Sequence, residues 1–170
     1  MIAAFLSAID PDEQVLAVNK AFAVPLIDAW GTVLEKPRVG EIDGVVRKQD
    51  VTKLVDWKSA ARRWAKDQAD KSLQPTVYCY VHRTLAGKDV PMRFDVVVKN
   101  KTPVVERHET TRTLDQFHRM VELVKQVERM IVAEHWLPNE QGFYCAGCPH
   151  QAACKAWHRE QVRVSVRMAA

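Results

Sequence analysis

The period of apolar and polar positions changes repeatedly along this 170-residue chain, and each change predicts an element. A short apolar start runs into Asp10-Pro11-Asp12, a turn by composition. Leu16, Val18, Phe22, Val24 and Leu26 then keep to a period of two around Asn19 and Lys20, which predicts a strand or hairpin over residues 14–26. Residues 27–38 read as a loop ending in Lys36-Pro37-Arg38. Residues 39–47 and 53–58 form a second and third strand, joined by a short polar connection in an antiparallel hairpin. A looser segment follows, then a helix from about Leu73 to Leu85 with Pro75 in its first turn. Residues 92–99 and 104–112 predict another hairpin around Asn100-Lys101-Thr102-Pro103. Residues 114–134 carry the strongest helical pattern, with Phe117, Met120, Val121, Val124, Val127, Met130 and Ile131 at spacings of three and four. This order predicts an α/β fold, a small mixed sheet flanked by helices.

Composition adds bounds. The chain is 47% hydrophobic, enough for one ordinary core, and we expect a single domain over 1–159 with a basic tail at 160–170. A net charge of +4 permits a polyanionic partner without identifying one. No long uncharged apolar run and no secretory leader pattern occur, so a soluble, cytoplasmic protein with no membrane partner is expected.

The candidate chemistry lies on the first hairpin. Asp43 sits on its first strand, and Asp56 and Lys58 on its second, where alternation puts the two side by side with Trp57 turned away. Two carboxylates supply the hard oxygens that Mg²⁺ or Mn²⁺ prefers, and a lysine beside them can stabilise charge on a phosphate. An isolated D-x-K is usually a surface ion pair. Here both acids follow β-type apolar residues, where an uncompensated charge is costly.

Three segments in order, Gly40-Glu41-Ile42-Asp43, Leu54-Val55-Asp56-Trp57-Lys58 and Gln74-Pro75-Thr76-Val77-Tyr78, resemble the signature of the PD-(D/E)XK nuclease superfamily, in particular its RecB-like exonuclease branch. The resemblance implies a restriction-endonuclease-like core and a metal-dependent DNA exonuclease of the repair or recombination type. It implies a DNA substrate with a free end or a single strand, and a separate helicase or recombination partner. By the same resemblance Asp43, Asp56 and the backbone carbonyl of Trp57 are ligands of Mg²⁺ or Mn²⁺, Lys58 is catalytic, and Gln74 and Tyr78 contact the site and the strand. The family usually carries a further acid or histidine on an upstream helix, and only a short segment precedes the first strand here. The chain therefore reads as N-terminally shortened, with Glu13 and Glu41 as the substitutes on offer. That gap favours an alternative: a non-catalytic DNA-binding or assembly module retaining the nuclease fold. Arg62, Arg63 and Lys66 are candidate phosphate contacts, set against a solvated face interleaved with Asp67 and Asp70. Trp64 is a candidate for stacking on a base, while Trp30, Trp136 and Trp157 read as core or cluster cover.

Residues 143–158 give C-x2-C-x5-C through Cys145, Cys148 and Cys154. In the RecB-like branch this triplet joins a distant N-terminal cysteine around a [4Fe-4S] cluster. That fourth cysteine is missing, because Cys79 falls on the helix of the candidate site. A purely local alternative adds His158 to make a Cys₃His set for Zn²⁺, and a third keeps the triplet with no metal. A zinc-stabilised interaction domain unrelated to nucleases would leave the other three segments unexplained.

Overall fold

The computed structural model describes residues 1–136 and 142–168; residues 169 and 170 of the expected tail lie outside the described residues. In chain order the elements are α1 (Ile2–Ser7), β1 (Gln14–Val24), β2 (Arg38–Lys48), β3 (Val51–Ala60), α2 (Gln68–Lys71), α3 (Gln74–Ala86), β4 (Met92–Val98), β5 (Val104–Thr110), α4 (Leu114–Val132), a 3₁₀ turn (Phe143–Gly147) and α5 (Gln151–Met168). They fall into two compact units, Met1–Gln126 and Val127–Ala170.

The first unit holds a five-stranded sheet in the order β1-β2-β3-β4-β5. All neighbours pair antiparallel except β3 and β4, which are parallel and are joined by a crossover through α2 and α3. The result is the expected mixed sheet flanked by helices. Alternation assigns its core face: Leu54, Asp56 and Lys58 of β3 lie beside Met92, Phe94 and Val96 of β4. Leu54, Met92 and Phe94 are buried there with Val77, Tyr80 and Val81 of α3 and Phe117, Met120 and Val121 of α4. The opposite face carries Val55, Trp57, Arg93 and Asp95.

Local chemistry closes helix α3 and is compatible with its start. Pro75 sits in its first turn, where a missing N–H costs nothing, and Gly87 takes the left-handed conformation (φ 67°) that closes it, donating to Arg83 O at 2.8 Å. The looser stretch before it contains only the four-residue α2.

Residues 160–168 of the expected tail form the C-terminal part of α5. One expectation changes. Trp30 and Trp136, read as cover, are exposed, and Trp30 stands out on its loop with the Lys125 ammonium 5.3 Å from its ring centre. The sequence shows an aromatic residue but not whether the fold leaves a wall beside it.

Candidate active site

The β2–β3 register pairs Gly44 with Val55, and one further step along each strand sets Asp43 opposite Asp56. The main-chain N–H of Trp57 donates to Asp43 Oδ2 at 3.3 Å, tying the two strand segments together. The Trp57 indole lies over Gly44 on the far face, so close that a Cβ at Gly44 would come within 2.7 Å of the ring. Gly40 serves similarly: a Cβ there would lie 2.8 Å from the Phe22 ring, which in turn packs edge-on against Tyr78.

Asp56 is fully buried. Its Oδ1 accepts from Gln74 Nε2 at 2.5 Å, and the same amide donates to Tyr78 Oη at 3.0 Å. Gln74 and Tyr78 are four residues apart on α3 and therefore share a face. Lys58 Nζ lies 2.6 Å from Asp56 Oδ2. Burial pushes the Asp56 carboxyl above the usual carboxylate range; the Lys58 ammonium pulls it back, the Asp43 charge raises it again, and the Gln74 bond lowers it. Asp43, Asp56, Lys58, Gln74 and Tyr78 thus converge at one place between hairpin and helix.

Asp56 Oδ2 is buried and faces the Lys58 ammonium, its one partner among the described residues. A buried carboxylate oxygen with spare lone pairs, next to a second carboxylate, fits a hard divalent cation that keeps several waters. Among the described residues no three His, Cys, Asp or Glu side chains gather as a metal site, so no third acid joins the pair. Glu41 is exposed on β2. Glu13 is placed elsewhere: both its oxygens accept from Arg93 at 2.8 Å, and Arg93 also donates to Asp95 at 2.7 Å. Arg93 and Asp95 alternate with Phe94, so this network lies on the sheet face away from Asp56. The Arg93 guanidinium holds the Glu13 carboxyl below its ordinary range. A Glu13→Gln variant is therefore expected to be destabilised by about 3 kcal/mol at neutral pH, as breaking a buried pair costs. The folded pKa is depressed, so that contribution is lost as pH falls through the carboxylate range, and the difference from wild type shrinks there. Urea unfolding at two pH values measures it, and cleavage by the folded variant should match wild type.

Arg62 and Lys66 are exposed on the segment that follows β3, and Arg63 pairs with Glu106 at 3.1 Å. Trp64 is not free to stack on a base: it packs at 5.0 Å on Phe94 and 5.5 Å on His108. Cys79 is buried, its thiol pushed up to about 11 by burial, and its Sγ lies 3.4 Å from Val90 O. Cys148 and Cys154 are exposed and Cys145 is half-buried. The triplet is not gathered with His158 into a metal site.

Comparisons with known proteins bear on this geometry. No curated protein matches the sequence. Among solved structures, the fold is similar to that of SSO0001, with a TM-score of 0.53 at 11% identity over 80% of this chain and 58% of that one. A candidate exonuclease from Eubacterium rectale is 14% identical over 78% of this chain and 52% of its own, with a TM-score of 0.44. The chain thus spans somewhat more than half the length of either. No helix among the described residues is long and apolar enough to cross a membrane. The model of the PD-(D/E)XK nuclease superfamily matches residues 14–155, which takes in every residue gathered at the site, and the chain belongs to that superfamily.

Proposed function

We propose that this chain is a metal-dependent deoxyribonuclease of the RecB-like kind, removing nucleotides from DNA ends in repair or recombination, beside a separate helicase or recombination partner. The observation that carries the reading is the environment of Asp56: a buried carboxylate opposite Asp43, paired with Lys58 and held by Gln74. A fold that only needed stability would not bury Asp56 beside a second, half-buried carboxylate under one lysine.

A Mg²⁺ or Mn²⁺ held by Asp43, Asp56 and the main-chain carbonyl of Trp57 would supply charge neutralisation at the phosphate and lower the pKa of water. The chain's own groups do the rest. Lys58, rooted on the sheet and partly exposed, brings its ammonium to where charge builds on the phosphate. Gln74 fixes the Asp56 carboxylate by one oxygen, Oδ1, and Lys58 faces the other. Tyr78 accepts from Gln74, which frees its own O–H to donate to the strand. Arg62 and Lys66 are placed on the surface to meet backbone phosphates. In the hydrolysis the oxygen of water bonds to phosphorus, the bond to the leaving nucleotide oxygen breaks, and that oxygen takes a proton. End-labelled linear single strands should shorten while a closed circular plasmid stays intact. Salt-sensitive binding with no shortening would support the non-catalytic module instead.

The C-x2-C-x5-C spacing supports a cluster bound in the second unit, with iron preferred over zinc on the family resemblance. Iron and zinc analysis with a visible absorbance scan is expected to show iron and thiolate-to-iron bands. A colourless protein with one zinc per chain would reject the iron reading.

A further inference from the structure

Helix α3 presents Gln74 to Asp56 from its first residue, yet its start lacks the usual anchors. Leu73 stands at the N-cap position with no side-chain capping bond, and no acidic residue occupies the first turn. The α2 helix ahead of it is a single short turn. Something else must fix where α3 begins.

That role falls to Arg112, which lies just beyond β5 and is buried. Its Nη2 donates to the carbonyl oxygens of Ala69 at 2.9 Å, Ser72 at 3.0 Å and Asp70 at 3.2 Å, three points on the chain leading into α3. Its Nε donates to Thr76 Oγ1 at 2.9 Å, inside the first turn of α3 itself. Its Nη1 donates to Thr111 O at 2.8 Å and to Thr110 Oγ1, while that hydroxyl donates to Asp70 Oδ1 at 2.6 Å. The fork therefore grips the entry segment and the first turn of α3 from both sides of Gln74 and ties them to the end of β5. Burying a guanidinium without a carboxylate bonded to it is costly, and the planar set of five N–H donors is what makes this many carbonyl and hydroxyl contacts attainable.

We propose that Arg112 is the positioning residue of the site: by setting the start of α3 it holds the Gln74 amide on Asp56. The consequence for cleavage rests on the nuclease reading above, whereas the geometric claim does not. Lysine cannot reproduce the fork, so Arg112→Lys is the informative change. In the metal-free protein without DNA, the side-chain amide protons of Gln74 should appear by NMR as a well-separated pair with slow solvent exchange. In folded Arg112→Lys they should collapse toward the positions of a free glutamine. Kinetically, Arg112→Lys should lower kcat about tenfold with the KM for a labelled single strand within about twofold, as loss of one hydrogen bond to a charged group predicts. Arg112→Lys combined with Gln74→Ala should be no slower than Gln74→Ala alone. Should Arg112→Lys fail to fold, Thr76→Val removes only the Nε contact and should move the Gln74 resonances in the same direction by less. Unchanged Gln74 resonances in whichever variant folds, or fully multiplicative losses in the double variant, would overturn the assignment. A wild-type protein that cuts nothing but shows the Gln74 shift would reject the nuclease reading and leave the positioning role standing.

Discussion

Asp56→Asn is expected to lower the cleavage rate by at least about 10³-fold while making the metal-free protein more stable at neutral pH. The two effects share one cause. Asp56 is fully buried, and burial is the largest influence on its carboxyl, which titrates above its ordinary value of 3.8. A raised folded pKa means that the ionised form is worse off in the native than in the unfolded state. The penalty is fully present above the folded pKa and disappears as pH falls below the unfolded one. Asparagine keeps the shape and the Gln74 contact through its carbonyl oxygen but never ionises, so it escapes the penalty. Lys58 loses its partner, yet its side chain is 37% exposed and regains water. Denaturant unfolding in chelator should show the variant ahead of wild type at neutral pH and level with it in acid. A variant that is inactive and also less stable at neutral pH would mean that Asp56 serves the fold more than the site.

Lys58→Ala is expected to cost about 10² to 10³ in kcat with little change in KM, because its ammonium contributes where charge develops rather than to binding the resting substrate. It should also leave a pH signature. Lys58 is the main influence holding the Asp56 carboxyl down against burial. Without it the carboxyl rises further, so in the metal-free protein the Asp56 side-chain carboxyl should titrate at higher pH in Lys58→Ala than in wild type, followed by carbon NMR. A loss in rate with an unmoved Asp56 titration would separate Lys58 from Asp56 and contradict their coupling.

Part of this arrangement was legible from local pattern. Period-two alternation marks β2 and β3, while the facing of Asp43 and Asp56 depends on a hairpin closed between Lys48 and Val51, a register that the polar connection leaves open. The four-residue step from Gln74 to Tyr78 places both on one side of a helix whatever that helix packs against. What escaped the sequence is held together by contacts remote along the chain. Glu13 meets Arg93 from 80 residues away, and nothing near either residue announces the pairing. Arg112 reads as one more basic residue before α4, and its importance exists only once β5 has brought it under the entry to α3. Trp64 and Trp30 have the same side chain and opposite fates, one packed on Phe94 and the other exposed, because burial is decided by what the sheet and loops enclose. Cysteine spacing has the same limit: C-x2-C-x5-C describes what a ligand set needs along the chain, not whether the thiols meet.

The proposed hydrolysis of DNA at the Asp43, Asp56 and Lys58 cluster is tested by digestion of an end-labelled single strand by wild-type protein with Mn²⁺, run beside chelator and beside Lys58→Ala. Progressive shortening is expected with the metal, none in chelator, and a deep loss in the variant. Wild-type protein that never shortens the strand, or a Lys58→Ala variant that shortens it equally well, would contradict it.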